Sequence, residues 1–240
     1  FRPDRIQQLN EKMIDSKIFV DSYTISELPY TAGKHLVSMQ KGHVTLGAHI
    51  SNLGMKQVRI AETEKFAHVT YFFNGGQDNI NENERHILIP SNKCKCHSDI
   101  PEMQAEKITE SIIGCLSQKQ ENLIVANYAN ADMVGHSGQW LPTVKSIEVV
   151  DTCLGSVVAA VNSFGADLLI TADHGNAEEM KDPLTKRAHT THTLNSVPLL
   201  YFGNKKIELA ASGDLTNVAA TVIELLGSRR VSAMSPSLII

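Results

Sequence analysis

The chain is short of the features that would send it to a membrane, a nucleic acid or a disulfide-stapled scaffold. No apolar run approaches the roughly 20 residues needed to cross a bilayer, and the opening stretch FRPDRIQQLN is neither signal-like nor headed by Met. Lys and Arg are spread thinly, and a net charge of −4 with a pI near 6.2 gives no basic footprint for nucleic acid or anionic lipid. Only four cysteines occur, Cys94, Cys96, Cys115 and Cys153, and they form no paired framework. Cys94-Lys95-Cys96-His97 lacks the second ligand pair of a zinc ribbon, so the thiols read as structural. There is no internal repeat and no low-complexity segment. These absences leave a globular protein of the reducing cytosol acting on small molecules, with no nucleic-acid or membrane partner. The missing initiator Met suggests the back part of something longer.

What is present is core. With 240 residues, 42% of them hydrophobic, the chain can bury one large domain, or one domain and part of another. Ile6, Leu9 and Met13 stand at helical spacing over 3–14, and KIFVDSY reads as a strand. Polar, Gly-containing sequence over about 26–42, beginning SELPYTAGK, then interrupts the pattern and marks a domain boundary. Beyond it the patterning predicts helices over 44–53, 102–117, 142–163 and 214–226, and strands over 56–60, 68–73, 122–127, 167–171 and 197–202. Strands separated by helical stretches imply an α/β fold with a mostly parallel sheet flanked by helices, and the near-continuous apolar strands NLIVAN and DLLIT agree.

In such sheets ligands sit outside the carboxyl ends of the strands. After LIVAN comes YANADMVGHSG, with Asp132 and His136 four apart; after LLIT comes Asp173-His174; before VPLLYF comes AHTTHTLNS, with His189 and His192. Asp and His at i and i+4 can face one centre from a single turn, and a distant loop can add a third ligand. Mixed carboxylate and imidazole donors suit Mn²⁺ or Zn²⁺, with Mn²⁺ favoured as oxygen donors increase. Taken singly, each element has a plainer reading: Asp132 and His136 as a cap or surface pair, Asp173 as a cap before Gly175. Three such elements beside three strands favour a metal.

NYANADMVGHSG, TADHGNAEEM, THTLNSVPLLYFG and GMKQVRIAETEKFAHVTYFFNGG together resemble the C-terminal half of the cofactor-independent (2,3-bisphosphoglycerate-independent) phosphoglycerate mutases, members of the alkaline phosphatase superfamily. The resemblance implies an alkaline-phosphatase-like domain and an isomerase that interconverts 3-phosphoglycerate and 2-phosphoglycerate through a phosphoserine, as a cytoplasmic monomer when full length. It implies two ions, Mn²⁺ with Mg²⁺ or Co²⁺ as alternatives: Asp132, His136 and His192 would hold one, and Asp173 and His174 half of the other. His189 is then structural or supports a ligand. Lys65, in AETEKFAH, would stand beside the nucleophile and the transferred phosphoryl group, where a compact cation neutralises developing charge. Its plainer reading is a surface lysine paired with Glu62 or Glu64. Arg2 and Arg5, in FRPDR, would grip substrate with planar forks.

The resemblance also implies that 1–40 is the end of a phosphotransferase domain with its hinge, and 41–240 the C-terminal part of the phosphatase-like, metal-binding domain. The nucleophilic serine and one aspartate ligand belong to a portion that this sequence does not contain; Ser91, Ser98 and Ser137 fall in no nucleophile motif. Two rival readings follow: another phosphomutase or hydrolase of the same superfamily, since fold does not fix function, and a metal-binding fragment without activity.

Overall fold

The computed structural model describes residues 44–77 and 80–240, together with Lys12 and the backbone of two short strands before them. The chain divides into two compact units, Phe1–His43 and Val44–Ile240. In the first, β1 (Tyr23–Thr24) pairs in parallel with β2 (Lys34–His35). The rest of the expected helix over 3–14, most of the KIFVDSY strand, and both Arg2 and Arg5 lie outside the described residues.

The second unit is built on a parallel sheet of β3 (Gln57–Glu62), β4 (Glu84–Ile89) and β5 (Leu123–Asn127), in the order β4–β3–β5. Ile60 of β3 stands level with Ile87 on one side and Ala126 on the other. Being central, β3 has all six residues buried. Helix α1 (Leu46–Asn52) precedes it, capped by Thr45, whose hydroxyl accepts from Ala48 N. Helix α2 (Thr63–Val69) starts directly at the end of β3. Helix α3 (Ala105–Gln118) spaces Ile108, Ile112 and Cys115 along one buried stripe, and α4 (Asn130–Gly135) follows β5 after a two-residue turn. The 25-residue α5 (Trp140–Phe164) stops at Gly165, whose φ of 71° is the left-handed cap that glycine adopts without a Cβ clash. Strands β6 (Leu168–Thr171) and β7 (Leu199–Phe202) pair antiparallel, and α6 (Leu215–Leu225) begins at a capping box of Asp214 and Asn217.

Val58 and Ile60 pack with Ile108, Ile112, Val157 and Val161 from α3 and α5 on one face of the sheet. A second cluster gathers Leu46, Ile50 and Ile223 from α1 and α6. The α/β architecture, mostly parallel and flanked by helices, is therefore as the patterning implies, with one antiparallel pair added. No helix among the described residues is long and apolar enough to cross a membrane. The four cysteines are free, Cys115 and Cys153 buried in the core.

One expected strand is absent. Residues 68–73 form the end of α2 and a run of turns, closed by Thr70 N to Phe66 O at 3.2 Å, Phe72 N to Ala67 O at 2.9 Å and Asn74 N to Thr70 O at 2.8 Å. Their aromatic and β-branched content reflects packing, not pleating: Phe73 lies under the buried Arg59 guanidinium, 4.5 Å from its ring centroid. The neighbour of β3 is instead β4, whose sequence ERHILI hides its strand character behind charges. Glu84 and His86 sit level with Gln57 and Arg59 and pair with each other across 2.6 Å.

Candidate metal centre

Four chain segments deliver polar side chains to one centre. Lys65 enters from the first turn of α2, immediately after β3, and is only 6% exposed. Asp132 sits within α4, a helix pinned by the buried Asn130, whose amide donates to the carbonyls of Pro101 and Glu102 at 2.9 Å each. His136 ends that helix, one turn beyond Asp132. His174 follows β6, and His192 lies in the loop before β7.

Asp132 is the hub. Its Oδ2 accepts from Lys65 Nζ, while its Oδ1 lies 3.0 Å from His136 Nε2, 3.2 Å from His192 Nε2 and 3.1 Å from the amide nitrogen of Asn176. The two imidazole Nε2 atoms are 3.2 Å apart. The His174 ring stacks on His192 with centroids 3.5 Å apart, and ligand atoms of Asp132, His174 and His192 all lie within 4.8 Å of one another. Burial pushes the Asp132 carboxyl up, but the Lys65 hydrogen bond and charge, then His136 and Asn176, outweigh it and hold the group at about 2. Burial and then the neighbouring His174 push the His192 imidazole below its usual value, favouring the neutral form that binds metal.

The hydrogen bonds on the far side of the rings decide what these nitrogens want. His136 Nδ1 is 2.7 Å from the carbonyl oxygen of Thr190, and His174 Nδ1 is 3.2 Å from that of Gly175. A carbonyl only accepts, so each Nδ1 carries the proton and, in the neutral ring, each Nε2 presents a bare lone pair. For His136 that lone pair points at a carboxylate oxygen of Asp132, a repulsive contact that a cation between the two relieves. Ligand atoms about 2.0–2.2 Å from a common ion stand roughly 3 Å apart, which the Asp132, His136 and His192 separations match. The donor set fits a divalent cation, with backbone carbonyls orienting the rings as in established metal sites.

The remaining expected residues divide. Asp173 is 61% exposed at its side chain and reaches His174 Nε2 at 3.5 Å, so its carboxylate stands at the margin. His189 is turned away: its ring bonds the Glu179 carbonyl at 3.0 Å and the Thr191 hydroxyl at 2.9 Å. Ser91 donates to Glu62, Ser98 to the Cys96 sulfur, and Ser137 accepts from Gln139 N. Lys65 joins Asp132, a partner that its position three residues after Glu62 and next to Glu64 does not reveal. Asn176, on Asp132 Oδ1, and Glu178, on Asn176 N, both lie inside TADHGNAEEM and are not among the residues that the sequence points to. The signal was there in their proximity to His174, but amide and carboxylate side chains that support ligands carry no spacing rule of their own.

Residues 6–230 match the family described as the metalloenzyme superfamily, and the chain belongs to that superfamily. Within it the likeness narrows to one activity. The chain is 38% identical over 248 aligned residues to a 2,3-bisphosphoglycerate-independent phosphoglycerate mutase of Pseudomonas aeruginosa, covering 98% of this chain and 48% of that protein. It is 47% identical over 190 residues to one of Thiobacillus denitrificans, covering 79% of this chain and 37% of that protein. A crystal structure of Leishmania mexicana phosphoglycerate mutase at low cobalt concentration superposes with a TM-score of 0.75 at 32% identity, over 81% of this chain and 39% of that one. The chain thus spans about half the length, or less, of these relatives.

Proposed function

We propose that this chain is the C-terminal, metal-binding portion of a 2,3-bisphosphoglycerate-independent phosphoglycerate mutase, a cytoplasmic and monomeric enzyme of glycolysis and gluconeogenesis when whole. In this reading Asp132, His136 and His192 hold one Mn²⁺, and Asp173 and His174 supply part of the site for a second. Bound ions would polarise phosphoryl oxygens and lower the pKa of a serine hydroxyl. In this reading the serine comes from a portion that this sequence does not contain.

The chain's own contribution is positional and electrostatic. Lys65, buried and fixed on Asp132 Oδ2, keeps further N–H donors for phosphoryl oxygens, where fixed cations stabilise transferring charge. His136 and His192 take their orientation from α4 and the loop before β7, so a phosphate ester meets a preset constellation. Arg2 and Arg5 would bind the glycerate and phosphate. The observation that carries the reading is the buried Lys65 ammonium inside the centre: a metal site alone needs no added cation beside its ligands, whereas a transferring phosphoryl group is stabilised by one.

A coupled enolase assay tests it. The chain alone should give no mutase turnover above background, and adding the part of the Pseudomonas aeruginosa relative that the chain does not match should restore some. Restored turnover that Lys65→Ala abolishes supports the reading. Activity in the chain alone would mean that a serine such as Ser137 acts as nucleophile; a mixture that binds Mn²⁺ yet never turns over would point to the inactive, metal-binding alternative.

A further inference from the structure

His174 and His192 reach the centre from loops, 173–180 and 189–195, that belong to no helix or strand. Two backbone bonds join these loops: Thr193 N donates to Gly175 O at 2.9 Å, and His189 N donates to Met180 O at 3.0 Å. Between them stands Glu178. Its Oε2 accepts from Asn176 N at 2.6 Å, and its Oε1 accepts from the Thr193 hydroxyl and from Asn195 Nδ2 at 3.0 Å. One carboxylate therefore ties the loop of His174 to the residue directly after His192.

The surrounding residues leave room for this arrangement. A Cβ on Gly175 would collide with the Thr193 hydroxyl and the Glu178 carboxylate, and one on Gly135 would lie 3.0 Å from the Asn176 amide carbon. Asn176, 4% exposed, has its backbone N–H on Glu178 and its side-chain amide 3.1 Å from Asp132 Oδ1. A continuous chain of bonds runs from His192's neighbour through Glu178 and Asn176 to the hub carboxylate.

We propose that Glu178 is a positioning residue that locks His192 against His174 and Asp132, setting the ligand atoms at metal-binding separation before an ion arrives. This rests on the reading of the centre as a metal site. Groups that orient ligands from behind typically carry about 10–100-fold in metal affinity.

The test is Mn²⁺ titration of the full chain followed by electron paramagnetic resonance, with electron spin-echo modulation to count bound imidazole nitrogens and thermal melting of the metal-free protein alongside. Glu178→Ala should weaken Mn²⁺ binding about 10–100-fold and lose the modulation of one imidazole, a change that a purely structural role would not produce. Thr193→Val should weaken binding several-fold and Thr193→Ser restore it; this pair decides the matter if Glu178→Ala does not fold. Wild-type affinity and imidazole count in Glu178→Ala, or in Thr193→Val where that pair decides, would overturn the proposal while Asp132→Asn still abolishes binding. If Asp132→Asn binds as the wild type does, the metal reading and the positioning role fall together.

Discussion

Two carboxylates of this fold, Glu84 and Asp132, are each ringed by nitrogen, and the rings differ in kind. Glu84, on β4, accepts from Asn81 at 2.6 Å and Asn74 at 3.1 Å, lies 2.6 Å from His86 and 3.5 Å from the Arg59 guanidinium, and its side chain is fully buried. Asn81, Asn74 and Arg59 arrive carrying their own N–H groups, and the cluster closes around its charge. Asp132 is 16% exposed at its side chain and meets two imidazole Nε2 atoms, one of which, on His136, has its proton committed to the far side of the ring. The first ring meets its carboxylate with N–H donors; the second sets the bare Nε2 of His136 against its carboxylate. What separates structure from site here is therefore the identity of the hydrogen-bond donors, more than the charge or the burial.

The largest effect is expected where the closed ring is broken. Glu84→Ala strands Arg59, whose Nε and Nη1 already lack partners among the described residues, and removing one member of a buried pair costs about 3–5 kcal/mol. Urea unfolding should show that loss, with the Mn²⁺ affinity of the folded fraction kept within about twofold. A large change in affinity would mean that the two rings are coupled.

The pH dependence of the same network gives a smaller effect. Burial pushes the Glu84 carboxyl up, but Asn81, His86, Arg59 and Asn74 together hold it below its ordinary value of 4.5. A carboxyl lowered in the folded state adds stability that is fully present above the unfolded value and lost as pH falls through the folded one. Stability should therefore decline below about pH 4.5, and Glu84→Gln should flatten that decline while lowering stability at neutral pH. An unchanged slope in the variant would remove Glu84 from the acid limb.

The smallest effect has the most telling sign. Lys65 holds one oxygen of Asp132 with a positive charge that a divalent ion must tolerate, so Lys65→Met should raise Mn²⁺ affinity several-fold in the chain while abolishing turnover in the complemented enzyme. A fall in affinity would assign Lys65 to building the metal site instead of to the transferred group.

Most of the fold was legible because buried helices and parallel strands declare themselves by apolar runs: α3, α5 and α6, and β3, β5, β6 and β7, fall within a few residues of their expected bounds. The charged network hid the rest. β4 begins Glu84-Arg85-His86 and reads as polar, while the aromatic stretch after α2 that reads as a strand supplies Phe73 to cover Arg59. In the centre, Asp132, His136 and His192 were visible because one helical turn and one loop carry chemically unusual residues. Asn176 and Glu178 were not, since their role exists only once two loops distant in sequence are brought together.

Diffraction from crystals of the chain soaked in Mn²⁺, measured at the manganese edge, tests the central claim most directly. The expected result is an anomalous peak about 2.0–2.2 Å from Asp132 Oδ1, His136 Nε2 and His192 Nε2, with Lys65 still on the other carboxylate oxygen. A cluster that stays free of manganese at neutral pH, its imidazoles protonated and hydrogen-bonded to Asp132, would show the centre to be a second closed ring and would contradict the assignment.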